Sequence, residues 1–375
     1  MSVSHIPDKV KFQLWGQSAG RCQYDGCNKI LWRDLVTKAR YSTAYIAHII
    51  ADKEDGPRGD KVLSKRLKND ISNLILLCDA HHRLVDVEDV SGHSVERLQG
   101  MKKKHENRVN MQTSLGVDKE SHVLHYGANI GRLNSFITWE KSYEAMLPNK
   151  YPANDAAIEL SLLNSPFQDN DENYWKLEQE NLQRQFSAKI HSRMGMDINH
   201  LSVFAIAPQP LLIELGRLLS DTSGIDVYQH QKEPEDNWAW QDTGEDITFE
   251  IIPPVRKLCS EIALNLSLSA DIDNDRILSV LGGDTCIWTM TIANPNNDFI
   301  KTRNQLGAFR KSFRALLNQI QLYHGQNTIL KVFPSVPVSV AIEIGRVWMP
   351  KADLPLMLYD QNRQRDGFFY TLSID

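Results

Sequence analysis

The sequence predicts two domains of different class: a small α+β domain at the front, and a larger α/β domain behind it made of two similar halves. Three observations predict this. Cys and His residues crowd into the first 82 positions at metal-knuckle spacings, a strand–turn–helix–strand pattern occurs twice in the back half, and the charge changes sign between the two parts. A chain of 375 residues is also long for a single hydrophobic core. Its apolar content of 42 % and its lack of low-complexity tracts are those of a globular protein. No apolar run reaches the length of a membrane span, and the first 20 residues lack the apolar core of a signal peptide. The expectation is a cytoplasmic protein.

The net charge of −5 conceals an asymmetry. Residues 1–115 carry about +5 and the remainder about −10. A basic front end suits a polyanion such as DNA; an acidic back end excludes a long nucleic-acid groove there. The five Cys are odd in number and unevenly placed, which excludes a disulfide framework. Three of them lie in the first 80 residues. Cys259 and Cys286 read as core residues, with no partner His or Asp pattern around them.

In chain order, residues 7–20 read as a short helix closed by Gly20, and Asp25-Gly26 makes a tight turn between Cys22 and Cys27. Residues 43–50 have strand composition, and 52–66 form a basic loop around Gly56-Pro57-Arg58-Gly59. Asn73 precedes four apolar residues, Leu74 to Leu77, which read as a buried strand running into a helix near Ala80. Ser94 is the expected N-cap of a polar helix reaching about Asn110. Residues 113–124 are the expected linker between domains spanning 1–112 and 125–375. Beyond it come a strand at 123–130, a helix at 133–146, a Pro- and Asn-punctuated stretch at 148–166 and an amphipathic helix at 174–191. A strand at 201–207, a helix after Pro208 and a strand at 225–228 follow.

The last of these patterns recurs. Phe204-Ala205-Ile206-Ala207-Pro208 aligns with Phe333-Pro334-Ser335-Val336-Pro337 at an offset of 129 residues, and Glu214-Leu215-Gly216-Arg217 with Glu343-Ile344-Gly345-Arg346 at the same offset. Two extra residues bring Val227-Tyr228-Gln229 onto Leu358-Tyr359-Asp360. Each copy, about 201–230 and 330–361, reads as a βαβ unit of a parallel sheet. Two such halves face each other about a pseudo-two-fold, with ligands expected beyond the carboxyl ends of the strands.

The front-end chemistry divides in two. Cys22 and Cys27, with Cys78 and His81, have the paired spacings of a structural Cys3His zinc site. His48, Asn73 and His82 remain. Phosphodiester hydrolysis needs a base for water and a cation on the phosphate oxygens, and these residue types suit the two roles. Cys22-x4-Cys27, Ala47-His48-Ile49, Asn73-Leu74 and Cys78-x2-His81-His82, followed by Arg83-Leu84-Val85-Asp86, resemble the HNH (ββα-metal) endonuclease pattern over residues 20–110. The resemblance implies His48 as general base, Asn73 as the supporting residue and His82 as a ligand of a catalytic Mg2+ or similar divalent cation. Many members of that family carry an acid where this chain has Ala47; Asp86, Asp52 or a substrate phosphate then completes the cation's shell.

The duplicated half resembles the SAVED domain, a fusion of two CARF-like (Rossmann-like) units. Its lines are His200-Leu201-x-Val203-Phe204-Ala205, Leu264-Asn265-Leu266-Ser267 and Val332-Phe333-Pro334-x-Val336-Pro337. An HNH nuclease fused to SAVED is similar to effectors of cyclic-oligonucleotide-based antiphage systems. That implies a cyclic di- or trinucleotide activator, double-stranded DNA as substrate, and a homo-oligomer, dimeric at rest and of higher order when active. Purines need aromatic or Arg platforms and phosphates need cations or N–H groups. Gln209, Pro210 and Ser335 in the two turns, Tyr228, Tyr359, Trp238 and Trp240, and the cations Lys331 and Arg346 are the candidates for these contacts. Two alternatives stand beside this reading: an HNH restriction enzyme that recognises modified DNA, and a non-catalytic zinc-containing DNA-binding protein.

Overall fold

A computed structural model describes residues 5–34, 36–130, 137–161, 167–171, 173–220, 223–233, 236–256, 258–362 and 367–375. The chain divides into two compact units, Met1–Gly116 and Val117–Asp375.

In the first unit, α1 (Asp8–Gln17) precedes β1 (Ala44–His48), α2 (Leu63–Leu67), β2 (Leu74–Cys78), α3 (Asp79–Arg83) and α4 (Val95–Thr113). The apolar run at 74–77 forms β2, all of whose residues are buried. It pairs antiparallel with β1, His48 opposite Leu74 and Ala44 opposite Cys78. The chain turns at Cys78 straight into α3, which a turn of π-helix (Leu84–Glu88) continues. Two strands and a helix thus pack around Leu14, Leu31, Ile49, Leu74 to Leu77, Val85, Leu98 and Met101. Ser94 caps α4 as expected, its Oγ accepting the Arg97 N–H at 3.3 Å. The buried cluster of this unit is small, and a bound metal would add to its stability.

The second unit contains β3 (Glu120–Gly127), α5 (Trp139–Met146), β4 (Tyr151–Pro152), β5 (Ile158–Glu159), α6 (Tyr174–Phe186), β6 (Leu201–Ile206), α7 (Gln209–Leu218) and β7 (Ile225–Val227). There follow β8 (Glu250–Ile252), β9 (Glu261–Ser267), α8 (Asn274–Leu281), β10 (Thr285–Thr291), α9 (Arg303–His324), β11 (Leu330–Ser335), α10 (Val338–Val347), β12 (Leu356–Asn362) and β13 (Gly367–Ile374). One sheet runs β4-β3-β6-β7 with β5 beside β3; the other runs β13-β12-β11-β9-β10-β8. Within each, β6–β7 and β11–β12 are parallel, as βαβ units require. No helix among the described residues is long and apolar enough to cross a membrane.

The internal repeat is a repeat in space. α7 and α10, both buried along most of their length, cross at their matched glycines. A Cβ on Gly216 would lie 1.9 Å from the carbonyl of Ile342, and one on Gly345 would lie 1.9 Å from that of Ile213. The residues on the two sides of this contact are related by the same offset of 129. The aromatic residues obey the relation too. Phe204 stacks on Tyr228 at 4.4 Å and Phe333 on Tyr359 at 4.5 Å, with Trp238 and Phe368 set edge-on against the two phenylalanines.

Three expectations are corrected. The linker expected at 113–124 is shorter, because α4 reaches Thr113 and β3 begins at Glu120. The helix expected at 133–146 begins at Trp139, and its first four positions lie outside the described residues. Cys259 and Cys286 are not solitary core residues: they form a disulfide across 27 positions of sequence. Sequence spacing carries no sign of a pairing that the parallel alignment of β9 and β10 creates.

Candidate functional site

The first unit gathers its chemistry where β1, β2 and α3 meet. Cys22 hangs on the turn before β2's outer end, its amide bonded to the Lys29 carbonyl. Cys78 ends β2, and His81 lies one turn into α3. Sγ of Cys22 and Cys78 stand 3.6 and 3.2 Å from Nδ1 of His81, and one ligand atom each of Cys22, Cys27, Cys78 and His81 lie within 4.8 Å of one another. Tetrahedral zinc with three sulfurs and one nitrogen has edges of about 3.5–3.8 Å, so the donor set fits in type and spacing. Burial pushes the Cys22 thiol up to about 12 and holds His81 below its ordinary value. A cation among them would reverse the first effect; the second already favours the neutral, ligating imidazole. Around the set, Tyr24 stacks on His81 at 4.1 Å, and its hydroxyl meets Nε2 of His93 at 3.1 Å. Nδ1 of His93 donates to the Asp89 carbonyl at 2.7 Å, so the chain of contacts fixes the His81 ring.

His48 ends β1. Its Nε2 donates to the carbonyl of Lys68 at 2.9 Å, which leaves the lone pair on Nδ1. Asn73 holds the chain immediately after it. Oδ1 accepts the Ile50 N–H at 2.8 Å, Nδ2 donates to the carbonyls of Ile50 and Leu67 at 2.9 and 3.3 Å, and the Asn73 carbonyl takes the Ile49 N–H. His82 lies on α3 with Asp86 one turn on, Nε2 to Oδ2 being 3.4 Å. His48, His82, Asp86 and Asp52 line one cavity of about 600 Å³, together with Tyr45, Ala47, His5, Lys11 and Lys53.

The sequence reading missed two residues here. Arg58, its side chain 7 % exposed, donates to the carbonyls of Ile49 and Val85 at 2.7 and 3.0 Å and to Oδ1 of Asp86 at 2.5 Å. It therefore ties the end of β1 to the segment that carries Asp86. Tyr45 stacks on His82 at 4.6 Å. Its strand period with Ala47 was the available signal.

In the second unit the structure brings some of the expected ligand-facing residues together and scatters others. Gln209 and Ser335 do meet at the carboxyl ends of β6, β9 and β11. Gln209 Oε1 accepts the Val336 N–H at 3.1 Å, Ser335 Oγ accepts that of Ala270 at 3.1 Å, and the Ser335 carbonyl accepts that of Leu268. Gln229 adds a second link between the halves, its Oε1 accepting the N–H and Oγ–H of Ser339 at the start of α10. Beside them the Ser269 hydroxyl is buried with no partner among the described residues. Pro210 is buried in the first turn of α7.

The aromatic and cationic candidates lie elsewhere. Tyr228, Tyr359 and Trp238 are buried in the paired aromatic stacks, where a base cannot reach their rings. Arg303 also lies over Tyr228 and donates to its hydroxyl. Trp240 packs on the core, its indole nitrogen without a partner among the described residues. Lys331 starts β11, at the opposite end from the turn, and pairs with Glu261. Arg346 sits in the last turn of α10 and pairs with the buried Glu343, as Arg217 pairs with Glu214 in α7. The repeat predicted their equivalence and not their direction: strand residues before the turn and helix residues after it diverge from the strand ends.

No curated protein matches the chain. Among solved structures it is similar to a Cap4 SAVED/CARF-domain containing receptor of Acinetobacter baumannii with the cyclic trinucleotide 2'3'3'-cAAA. Identity is 13 %, coverage 84 % of this chain and 71 % of that one, and the TM-score 0.44. The same receptor with 3'3'3'-cAAA gives 13 % identity, the same coverage and a TM-score of 0.42. The Cap4 SAVED/CARF-domain containing receptor of Moraxella osloensis gives 12 %, with 84 % and 70 % covered and a TM-score of 0.40. The family profile described as "SMODS-associated and fused to various effectors sensor domain" matches residues 180–374, more than half of the chain and all of β6 to β13. On that match, the chain belongs to the SAVED family of sensor domains.

Proposed function

We propose that this protein is a cyclic-oligonucleotide-activated, metal-dependent DNA endonuclease of the HNH type, acting as an antiphage effector. The observation that carries the catalytic half is the shared cavity of His48, His82 and Asp86, with His48 Nε2 committed to the Lys68 carbonyl. Nδ1 of His48 is then a base with its lone pair free, and takes the proton of an attacking water. Asn73 keeps that ring at the mouth of the cavity by bonding the chain on its carboxyl side. His82 and Asp86 would hold a divalent cation, which would supply charge stabilisation to the phosphate oxygens and the leaving group. Arg58 orients Asp86 toward His82. Cys22, Cys27, Cys78 and His81 would hold a structural zinc ion in a domain whose own core is small.

Membership of a sensor family supports the other half: a cyclic di- or trinucleotide binds at the strand ends around Gln209, Ser335 and Ser269. Binding there would bear on the links that Gln209 and Gln229 make between the halves, and so on oligomerisation. The test is cleavage of plasmid DNA by the full chain with Mg2+, with and without a panel of cyclic di- and trinucleotides. Ligand-dependent cutting lost in His48→Ala supports both halves. Cutting without ligand sinks the sensor half, and cutting that survives His48→Ala sinks the catalytic half.

A further inference from the structure

The Cys259–Cys286 disulfide takes no part in either candidate site. It joins the connection ahead of β9 to the second residue of β10. Its two sulfurs live in different surroundings: Cys286 is 1 % exposed, while Cys259 is half-buried. His324, the last residue of α9, offers a ring nitrogen within 4.8 Å of both sulfurs.

A metal site is one reading of two Cys and a His, and the neighbours of His324 argue against it. The indole N–H of Trp288 donates to Nε2 of His324 at 3.0 Å. Burial holds His324 below its ordinary value, which favours the neutral ring. A neutral imidazole has one lone pair, and here the indole already occupies it. The proton then sits on Nδ1, and no nitrogen of the ring is left for a cation.

The surroundings instead accommodate both oxidation states of the pair. Cys286 Sγ lies 3.3 Å from the Arg256 carbonyl. Bonded to Cys259 it has no proton to give; as a thiol it donates S–H to that waiting acceptor. The buried sulfur therefore loses no hydrogen-bond partner on reduction, which is the usual penalty for freeing a buried polar group.

We propose that Cys259 and Cys286 form a reversible thiol-exchange site whose co-substrate is a small soluble thiol. The thiolate of that molecule attacks Sγ of Cys259, the sulfur nearer solvent. The Cys259–Cys286 bond breaks, and Cys286 leaves as a thiolate that takes a proton from water. A second thiolate attacks the mixed disulfide and releases Cys259. In balance, two small thiols are oxidised to one disulfide, and the protein pair gains two electrons and two protons. The product is a connection between β8 and β9 held at its base by the Ser260–Asp284 hydrogen bonds instead of by a covalent link. That connection carries Val255 and Leu258, both fully or almost fully exposed.

The test is differential alkylation of the purified full-length chain, read by peptide mass spectrometry, after equilibration in glutathione buffers of graded redox poise. The expected result is that Cys259 and Cys286 convert together under native conditions, with a fall of several degrees in the thermal midpoint on reduction. Cys259→Ser abolishes that shift. The alkylation arm needs no variant and stands if Cys259→Ser fails to fold. Three outcomes overturn the proposal. The two cysteines label at once in unreduced protein; they resist reductant until the chain is unfolded; or reduced protein gains a Cd2+–thiolate absorption band that Cys259→Ser removes, which would make the cluster a metal site.

Discussion

Adjacent His81 and His82 point to different tasks, although nothing in their own chemistry separates them. His81 turns Nδ1 toward two sulfurs, while His82 faces Tyr45 and Asp86 one helical step away. His81→Ala should release bound zinc and lower the unfolding midpoint of the first unit, as metal titration and calorimetry would read. His82→Ala should leave the fold intact and reduce cleavage at least 100-fold, the order expected when a positioned catalytic group is lost. The opposite assignment of phenotypes would sink the division of roles. Asp360 offers a test of pH. Burial raises its carboxyl from 3.8 to about 7, the Gln361 N–H opposing this and Asp169 adding to it. The folded state therefore binds a proton that the unfolded chain has lost between these values, so this residue's contribution to stability is present at low pH and disappears as pH rises toward 7. Asp360→Asn should stabilise the second unit at pH 8 by about 2 kcal/mol, well short of the full shift because the side chain keeps some contact with water. The gain should vanish near pH 4 in denaturant titrations.

At the level of elements, the α7–α10 crossing is the most demanding contact of the second unit. The backbones approach so closely that each glycine hydrogen occupies the space where a methyl would meet a carbonyl. Neither helix can yield, because both are buried along their length. Gly216→Ala or Gly345→Ala should each cost about 3 kcal/mol or more, above what overpacking of a yielding core costs. A chevron or equilibrium urea titration that found either variant within 1 kcal/mol of wild type, on the order of an ordinary surface change, would show that the helices slide apart. The same two helices show where Arg346, a candidate phosphate contact, and its repeat equivalent Arg217 are engaged. Each is committed to the buried Glu one turn before it, a carboxylate that Gln183 in the first case and Arg310 in the second also contact.

Across the whole molecule, charge separates the two units. A basic front unit suits a polyanion better than the acidic sensor unit does. On the proposed function, DNA cutting by the activated chain should weaken steeply with added salt, whereas binding of a small cyclic nucleotide should change little, since few phosphates are involved. His48→Ala should abolish the first and spare the second. Calorimetric binding and plasmid cleavage at graded NaCl would separate the two; equal salt slopes would argue that one surface serves both ligands.

Much of this protein was determined by local sequence. The βαβ repeat, its parallel strands and its aromatic equivalents follow from the spacing of Phe204 and Tyr228 against Phe333 and Tyr359, because period and turn chemistry are local properties. The Cys22, Cys27, Cys78 and His81 group was also legible, since knuckle spacing constrains which ligands can converge. Tertiary structure decided what depends on direction and on distant partners. Only the fold shows that Tyr228 and Tyr359 face the core and that Lys331 lies at the wrong end of its strand. Arg58, 28 positions from Asp86, and Cys259, 27 positions from Cys286, meet because β-pairing brings their segments together. The strand-to-helix stretch 73–82 supplied candidate residues of two sites. The turn at Cys78 into α3 divided them, because neighbouring helical positions point about 100° apart, His81 toward the sulfurs and His82 toward Asp86.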